Sequence, residues 1–180
     1  RVITPPRTQG RAGSHRLRRG PDSVPGLRTR GRPAGLHRHR TAGSRKFSAD
    51  PATAYQQGVL EAYLALDRTE TLRLGRPGSA GTIIYYDIEN YPNQAACREA
   101  AKSFISGWTA TLHAYGSQSG VYGSPCSSYV PDLAGMANVP DAVWLAVWKL
   151  PAQYDPNASV WNLICISNSL WSQNQRLRQY

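Results

Sequence analysis

The segment 81–92, GTIIYYDIENYP, restricts the fold more than any other part of the chain. Its β-branched and aromatic residues predict a strand over about 82–89 with apolar side chains on both faces. A strand that is covered on both faces is typical of a parallel sheet whose strands are connected by helices. The segment therefore predicts an α/β fold.

The net charge of +10 comes from the beginning of the chain. Residues 1–47 carry 13 Lys and Arg against one acid, Asp22, whereas residues 48–180 carry 8 basic and 10 acidic side chains. Because 1–47 is also rich in Gly and Pro, we expect a disordered tail. Three interpretations stay open: a nucleic-acid arm, a solvated linker, or a non-native stretch read in a wrong frame. Nucleic acid is an unfavoured partner, since no aromatic residue before Phe47 could stack on bases.

Two helices are expected in the folded domain, 48–180. Asp50 followed by Pro51 predicts an N-cap and first turn, and Gly75 with Pro77 predicts the end of that helix. A second helix is expected after residue 93 and should end at Gly116. The apolar stripes of the two helices are Tyr55, Val59, Ala62, Tyr63 and Leu66, then Cys97, Ala101, Phe104, Ile105, Trp108, Leu112 and Tyr115.

Further short strands are predicted at 119–124, at 142–148 and at the terminal RLRQY. The segment between the first two is expected to be a loop or a short helical turn. Strands and helices that alternate in this way indicate parallel pairing.

Asp87 and Glu89 are the strongest candidates for chemistry. Side chains two positions apart on a strand share a face, so both should project with Tyr85. They also stand at the carboxyl end of their strand, where parallel folds place binding and catalysis. Two carboxylates this close repel, so one is expected to hold a proton beside an ionised partner, which suits protonation of a glycosidic oxygen. The alternative is that both carboxylates only bind backbone amides or face water.

Other side chains are weaker candidates. Tyr122 and Trp148 lie near the ends of predicted strands and would open onto the same pocket, although core packing is the ordinary role of such residues. His113 is expected to be a partly exposed helix residue.

No metal site or cofactor is predicted. Cys97, Cys126 and Cys165 are far apart and form no CxxC pair, as a zinc site would require. One disulfide with one free thiol, or three buried thiols, are both compatible with this spacing. No segment approaches the about 20 apolar residues of a membrane helix, and no secretory signal is visible.

Four blocks together resemble a known family: GTIIYYDIENY, CREAAKSFISGWTATLHAYGSQSGVYGS, VPDAVWLAVW and RLRQY. They are similar to the glycoside-hydrolase-like domain of unknown function 1906, a relative of the family 25 lysozymes. The resemblance covers residues 48–180. It implies a (β/α) TIM-type barrel that acts on peptidoglycan of actinobacteria and other cell-walled bacteria, secreted or held in the cell envelope.

By that resemblance Glu89 would be the general acid. Asp87 would orient the acetamido group of the substrate or stabilise the developing cation. Tyr91 and Trp148 would line the sugar groove, and Gln179 and Tyr180 would lie at the end of a later barrel strand. We predict that Tyr85, Tyr122 and Gln179 also bind the substrate.

The family pattern also includes an opening GFD-like strand, two more strands before the DxE strand and a final acidic strand, none of which is found here. We therefore expect a partial barrel, a fragment that is marginally stable and inactive by itself. A non-catalytic glycan-binding module and an Arg-rich nucleic-acid-binding protein are the alternatives, and the oligomeric state is left open.

Overall fold

The structure is a computed structural model that describes residues 46–74, 81–148 and 154–179. The expected disorder of the tail falls on residues outside these ranges, apart from Lys46 and Phe47. The Phe47 ring packs against Phe104 with the ring centroids 5.4 Å apart. This residue therefore belongs to the folded part of the chain.

The described chain is an α/β structure with a four-stranded parallel sheet. The helices are α1 (Pro51–Thr71) and α2 (Ala95–Ala114), with a short 3-10 helix at Val130–Gly135. The strands are β1 (Ile83–Ile88), β2 (Gln118–Gly123), β3 (Ala142–Ala146) and β4 (Arg176–Gln179). Each strand pairs with the next one along the chain, so the sheet order is β1-β2-β3-β4. The predicted α/β class and parallel pairing are confirmed.

Helix α1 begins as the sequence predicted and ends earlier. The Asp50 carboxylate accepts hydrogen bonds from the backbone N–H of Thr53 at 2.8 Å and from its hydroxyl at 2.6 Å, so the predicted N-cap is confirmed. The predicted end at Gly75 and Pro77 is wrong, because the last helical residue is Thr71. Arg73 adopts a left-handed conformation with φ 56°, and the backbone N–H groups of Arg73 and Leu74 donate to the carbonyls of Glu70 and Thr69, which stops the helix.

Small residues hold α1 against α2. The buried residues of α1 are Ala54, Gly58 and Ala62, rather than the larger apolar residues of the predicted stripe. A Cβ atom at Gly58 would lie 1.9 Å from the carbonyl oxygen of Phe104, and one at Gly107 would lie 2.2 Å from that of Tyr55. The two backbones are therefore in direct contact at these glycines.

Helix α2 joins this pair to the sheet. Its Phe104 and Trp108 rings pack against Tyr86 of β1, with centroids 4.7 and 5.3 Å away. The helix ends before Gly116, which has φ 74° as the predicted glycine stop requires. Both helices thus lie on the sheet face that carries Tyr86 and Ile88.

The opposite sheet face carries Tyr85, Tyr122, Trp144 and Leu177 and is here called the open face. No element of the described chain covers it, and Trp144 and Leu177 remain 38% and 48% exposed. The expectation that β1 is covered on both faces is therefore met on one face only within the described residues. Apolar residues show that a strand face is suited to burial, but they do not show which element buries it.

The described part of the connection from β3 to β4, residues 154–175, forms turns, and Arg176 organises it. This side chain is buried, and its guanidinium donates to the backbone carbonyls of Leu170, Ser167 and Val160. It also lies 4.8 Å from the centre of the Trp161 ring. Burial lowers the pKa of Arg176, since no carboxylate among the described residues bonds to it.

Candidate functional site

The carboxyl ends of the strands bring polar side chains together on the open face. Asp87 of β1 stands opposite Tyr122 of β2, and Tyr122 stands opposite Trp144 of β3. Residues that are directly opposite on neighbouring strands project to the same face, and the strands lie about 4.8 Å apart. The sheet register therefore builds one row in which a carboxylate, a phenol and an indole are neighbours.

Both predicted carboxylates influence the ionisation of the same hydroxyl group, that of Tyr122. Partial burial raises the pKa of Tyr122, and the negative charges of Asp87 and Glu89 raise it further. Glu89 follows the end of β1 by one residue, and both acids are exposed on the surface. Asp87 and Glu89 are therefore close enough to one phenol to oppose its ionisation.

A hydrogen bond links Tyr122 to Gln179 of β4. The phenol oxygen donates to the Gln179 side-chain carbonyl at 2.5 Å. These residues belong to strands separated by β3, which places their backbones about 10 Å apart in a flat sheet. The contact therefore crosses above β3, and it requires the two side chains to lean towards each other.

Aromatic rings form a wall on this part of the open face. The Trp144 ring makes edge-on contacts with Tyr85 at 6.0 Å and with Tyr122 at 5.4 Å, measured between centroids. Burial also raises the pKa of Tyr85. We did not predict Trp144 from the sequence, although the alternation in AVWLA could have indicated it, because its neighbours Val143 and Leu145 are buried on the opposite face.

Two sequence-predicted residues are not brought into this group. Tyr91 packs between Phe47 and Tyr129, with centroids 6.2 and 5.3 Å away. Burial, followed by the negative charge of Asp132, raises its pKa. Trp148 lies beyond the end of β3, is 62% exposed and makes no ring contact with another described residue. Substrate binding by these two residues stays a prediction, and Tyr180 lies outside the described residues.

A disulfide joins two loops next to the strand ends. Cys126, three residues after β2, is bonded to Cys165 in the connection between β3 and β4, and Cys97 is a free thiol. The structure thus selects one disulfide and one thiol from the two arrangements that the spacing allowed. Ser127 also donates to the Asn90 side chain at 2.6 Å, which links this loop to the end of β1.

His113 lies apart from the carboxylates. It is exposed on α2, as expected, and its Nε2 atom is 2.7 Å from a carboxylate oxygen of Asp141, the residue before β3. Within the described ranges, no three His, Cys, Asp or Glu side chains form a group that could hold a metal ion. The helices of the same ranges include none that is long and apolar enough to span a bilayer.

A family model described as "Rv2525c-like, glycoside hydrolase-like domain" matches residues 34–180. The match covers most of the chain, and the protein belongs to this family. The matched region begins before residue 48, where the resemblance in the sequence began. No curated protein and no solved structure matches the chain.

Proposed function

We propose that this domain binds and hydrolyses bacterial cell-wall glycan, with peptidoglycan as the substrate, on the open face of its sheet. Membership of a glycoside hydrolase-like family supports a role that involves glycan. The observation that carries the proposal is the position of Asp87 and Glu89 beside an aromatic wall at the carboxyl ends of parallel strands. Carboxylates and aromatic rings are the two kinds of group that a glycosidase needs, for proton transfer and for contact with sugar rings.

In the proposed reaction Glu89 is the general acid that protonates the glycosidic oxygen. Asp87, ionised beside it, stabilises the positive charge that develops on the sugar ring or orients its acetamido group. Because burial and both carboxylates keep the Tyr122 phenol protonated, this residue adds no negative charge to the pair. Only Glu89 and Asp87 are proposed to take part directly in bond cleavage.

The sugar chain is proposed to lie along the aromatic wall. Trp144, Tyr85 and Tyr122 offer ring surface next to the carboxylates, and Trp148 would extend this surface beyond the end of β3. A sugar-binding role of Tyr91 has no comparable support, since its ring packs against Phe47 and Tyr129.

We further propose that the described sheet is part of a TIM-type barrel related to that of the family 25 lysozymes. Sequential order of parallel strands, with both helices on one face, is the arrangement found along the wall of such a barrel. The open face would then be the barrel interior. The carboxyl ends of its strands, with Asp87 and Tyr122, would then lie at the rim of the barrel, where (β/α) barrels bind their substrates.

Export to the cell envelope or the exterior is proposed as well. The Cys126–Cys165 bond supports it, because disulfides persist mainly in oxidising compartments. Family resemblance points in the same direction.

The test combines binding and turnover on purified peptidoglycan. We expect glycan binding by this chain and weaker binding in Trp144→Ala. In a longer protein that completes the barrel, we expect release of reducing ends and its loss in Glu89→Gln. Glu99→Gln is the matched control, since it removes an exposed carboxylate on α2, away from the site. Retained affinity with no turnover by any variant would favour a glycan-binding module, and absence of binding would refute the proposal.

A further inference from the structure

The contact between Tyr122 and Gln179 determines how the Gln179 amide is oriented. A phenol has one proton, and Tyr122 donates it to the side-chain oxygen of Gln179. The amide nitrogen of Gln179 must therefore point away from the phenol. No hydrogen-bond acceptor within the described ranges contacts that nitrogen, so its two N–H groups are available at the open face.

The other polar groups at this position offer no proton to a ligand carbonyl. In the proposed reaction Asp87 is ionised and the proton of Glu89 goes to the glycosidic oxygen, and the single proton of Tyr122 is already used. Sugar hydroxyl groups can donate to these acceptors, whereas a carbonyl oxygen cannot. In this part of the open face, the side-chain N–H groups of Gln179 are the donors that could bind a carbonyl oxygen of a ligand.

The surroundings of Gln179 favour a group that is partly apolar. Ala146 stands opposite it on β3, and Leu177, two residues earlier on the same face, stands opposite Trp144. Leu177 and Trp144 are both partly exposed. An acetamido group has a carbonyl oxygen that accepts an N–H and a methyl group that packs on apolar surface, and both requirements are met here.

We propose that Gln179, held by Tyr122, is a specificity-determining residue that binds the acetamido carbonyl of an N-acetylated sugar. The proposal rests on the function proposed above and adds to it which sugars the site selects. Tyr122 is a positioning residue in this scheme, because it acts through Gln179. The domain should consequently bind N-acetylated glycan more tightly than the same glycan with free amino groups.

Gln179→Glu is the most direct test. A glutamate keeps the size of the side chain and can still accept the Tyr122 proton, but it replaces the N–H donors with an acceptor. The acetamido carbonyl of an N-acetylated sugar then loses its hydrogen bond, whereas the protonated amino group of a deacetylated sugar gains the introduced carboxylate as a partner. One such bond corresponds to about a tenfold change in affinity. We expect the ratio of the affinity for N-acetylated glycan to the affinity for deacetylated glycan to fall at least about tenfold.

The experiment measures the binding of tetra-N-acetylchitotetraose and of its fully deacetylated counterpart to the full chain by isothermal titration calorimetry. Gln173→Glu is the matched control: it introduces the same charge at an exposed position in the turn before β4, and it should leave the ratio unchanged. Tyr122→Phe is the second variant, since it releases the amide from its fixed orientation and should also lower the ratio. Circular dichroism checks that each variant is folded.

The outcomes separate this inference from the proposed function. A wild-type preference for the acetylated oligosaccharide, lowered in Gln179→Glu and Tyr122→Phe alone, is the expected result. Binding of both oligosaccharides with a ratio that neither variant changes would overturn the role of Gln179 and leave the glycan function standing. If the wild-type chain binds neither oligosaccharide, the inference and the proposed function both fail.

Discussion

The Cys126–Cys165 disulfide should contribute a large part of the stability of this domain. The two cysteines are 39 residues apart in the sequence. In the loop-closure model, a bond that closes a loop of this length lowers the entropy of the unfolded chain by about 13 cal/mol/K, or about 4 kcal/mol at 25 °C. Native domains are stable by only about 5–15 kcal/mol, so removal of the bond should be readily measured.

The assay is urea unfolding, monitored by circular dichroism, of the oxidised chain and of the double variant Cys126→Ser, Cys165→Ser. With a urea slope of about 2 kcal/mol per M, the midpoint should fall by about 2 M. Reduction of the wild-type chain should produce a shift of the same size, and Cys97→Ser should produce none, because Cys97 is not in a disulfide. A midpoint that changes by less than about 0.5 M on removal of both cysteines would refute the loop-closure argument.

Two further predictions concern the helix pair and its contact with the sheet. Gly58→Ala should lower the free energy of unfolding by about 1–3 kcal/mol in thermal denaturation, since its Cβ atom would lie 1.9 Å from the Phe104 carbonyl oxygen. The control is Gly135→Ala, where no atom lies within 4 Å of the new Cβ. An equal loss of stability in both variants would contradict the close contact between the helices. Burial, followed by the charges of Glu61 and Asp87, raises the pKa of Tyr86 to about 12. The contribution of Tyr86 to the free energy of unfolding should therefore be fully present below pH 10 and should be lost as the pH rises from about 10 to about 12. In alkaline unfolding Tyr86→Phe should weaken this dependence and Tyr115→Phe should not, and an unchanged slope in Tyr86→Phe would show that another group is responsible.

Local sequence signals predicted the elements well, because each depends on few neighbouring residues. Asp50 and Pro51 indicated the first turn of α1, and Gly116 indicated the end of α2, since a side-chain cap and a left-handed glycine are local conditions. The end of α1 was wrong because Arg73 adopts the left-handed conformation that sequence reasoning reserves for glycine. The stripe on α1 was confirmed in part, since Ala62 is buried and Leu66 packs against the same cluster. The contact between backbones at Gly58 was missed because it depends on the partner helix.

The site was predicted in part. The alternation of side chains along β1 was enough to place Asp87 on the same face as Tyr85, because this follows from the geometry of any extended strand. No local signal could show that Trp144 would be the neighbour of Tyr122, since that depends on the register between β2 and β3. No local signal indicated that Tyr91, predicted as a groove residue, would pack its ring against Phe47.

The sequence by itself determined the α/β class, the positions of most helices and strands and the shared face of Asp87 and Tyr85. These properties follow from hydrophobic periodicity, caps and strand geometry, all of which act over a few residues. The tertiary structure alone decided that Cys126 pairs with Cys165 and that Tyr122 meets Gln179 above β3. Such contacts join residues tens of positions apart, and only the packing of the whole sheet brings them within bonding distance.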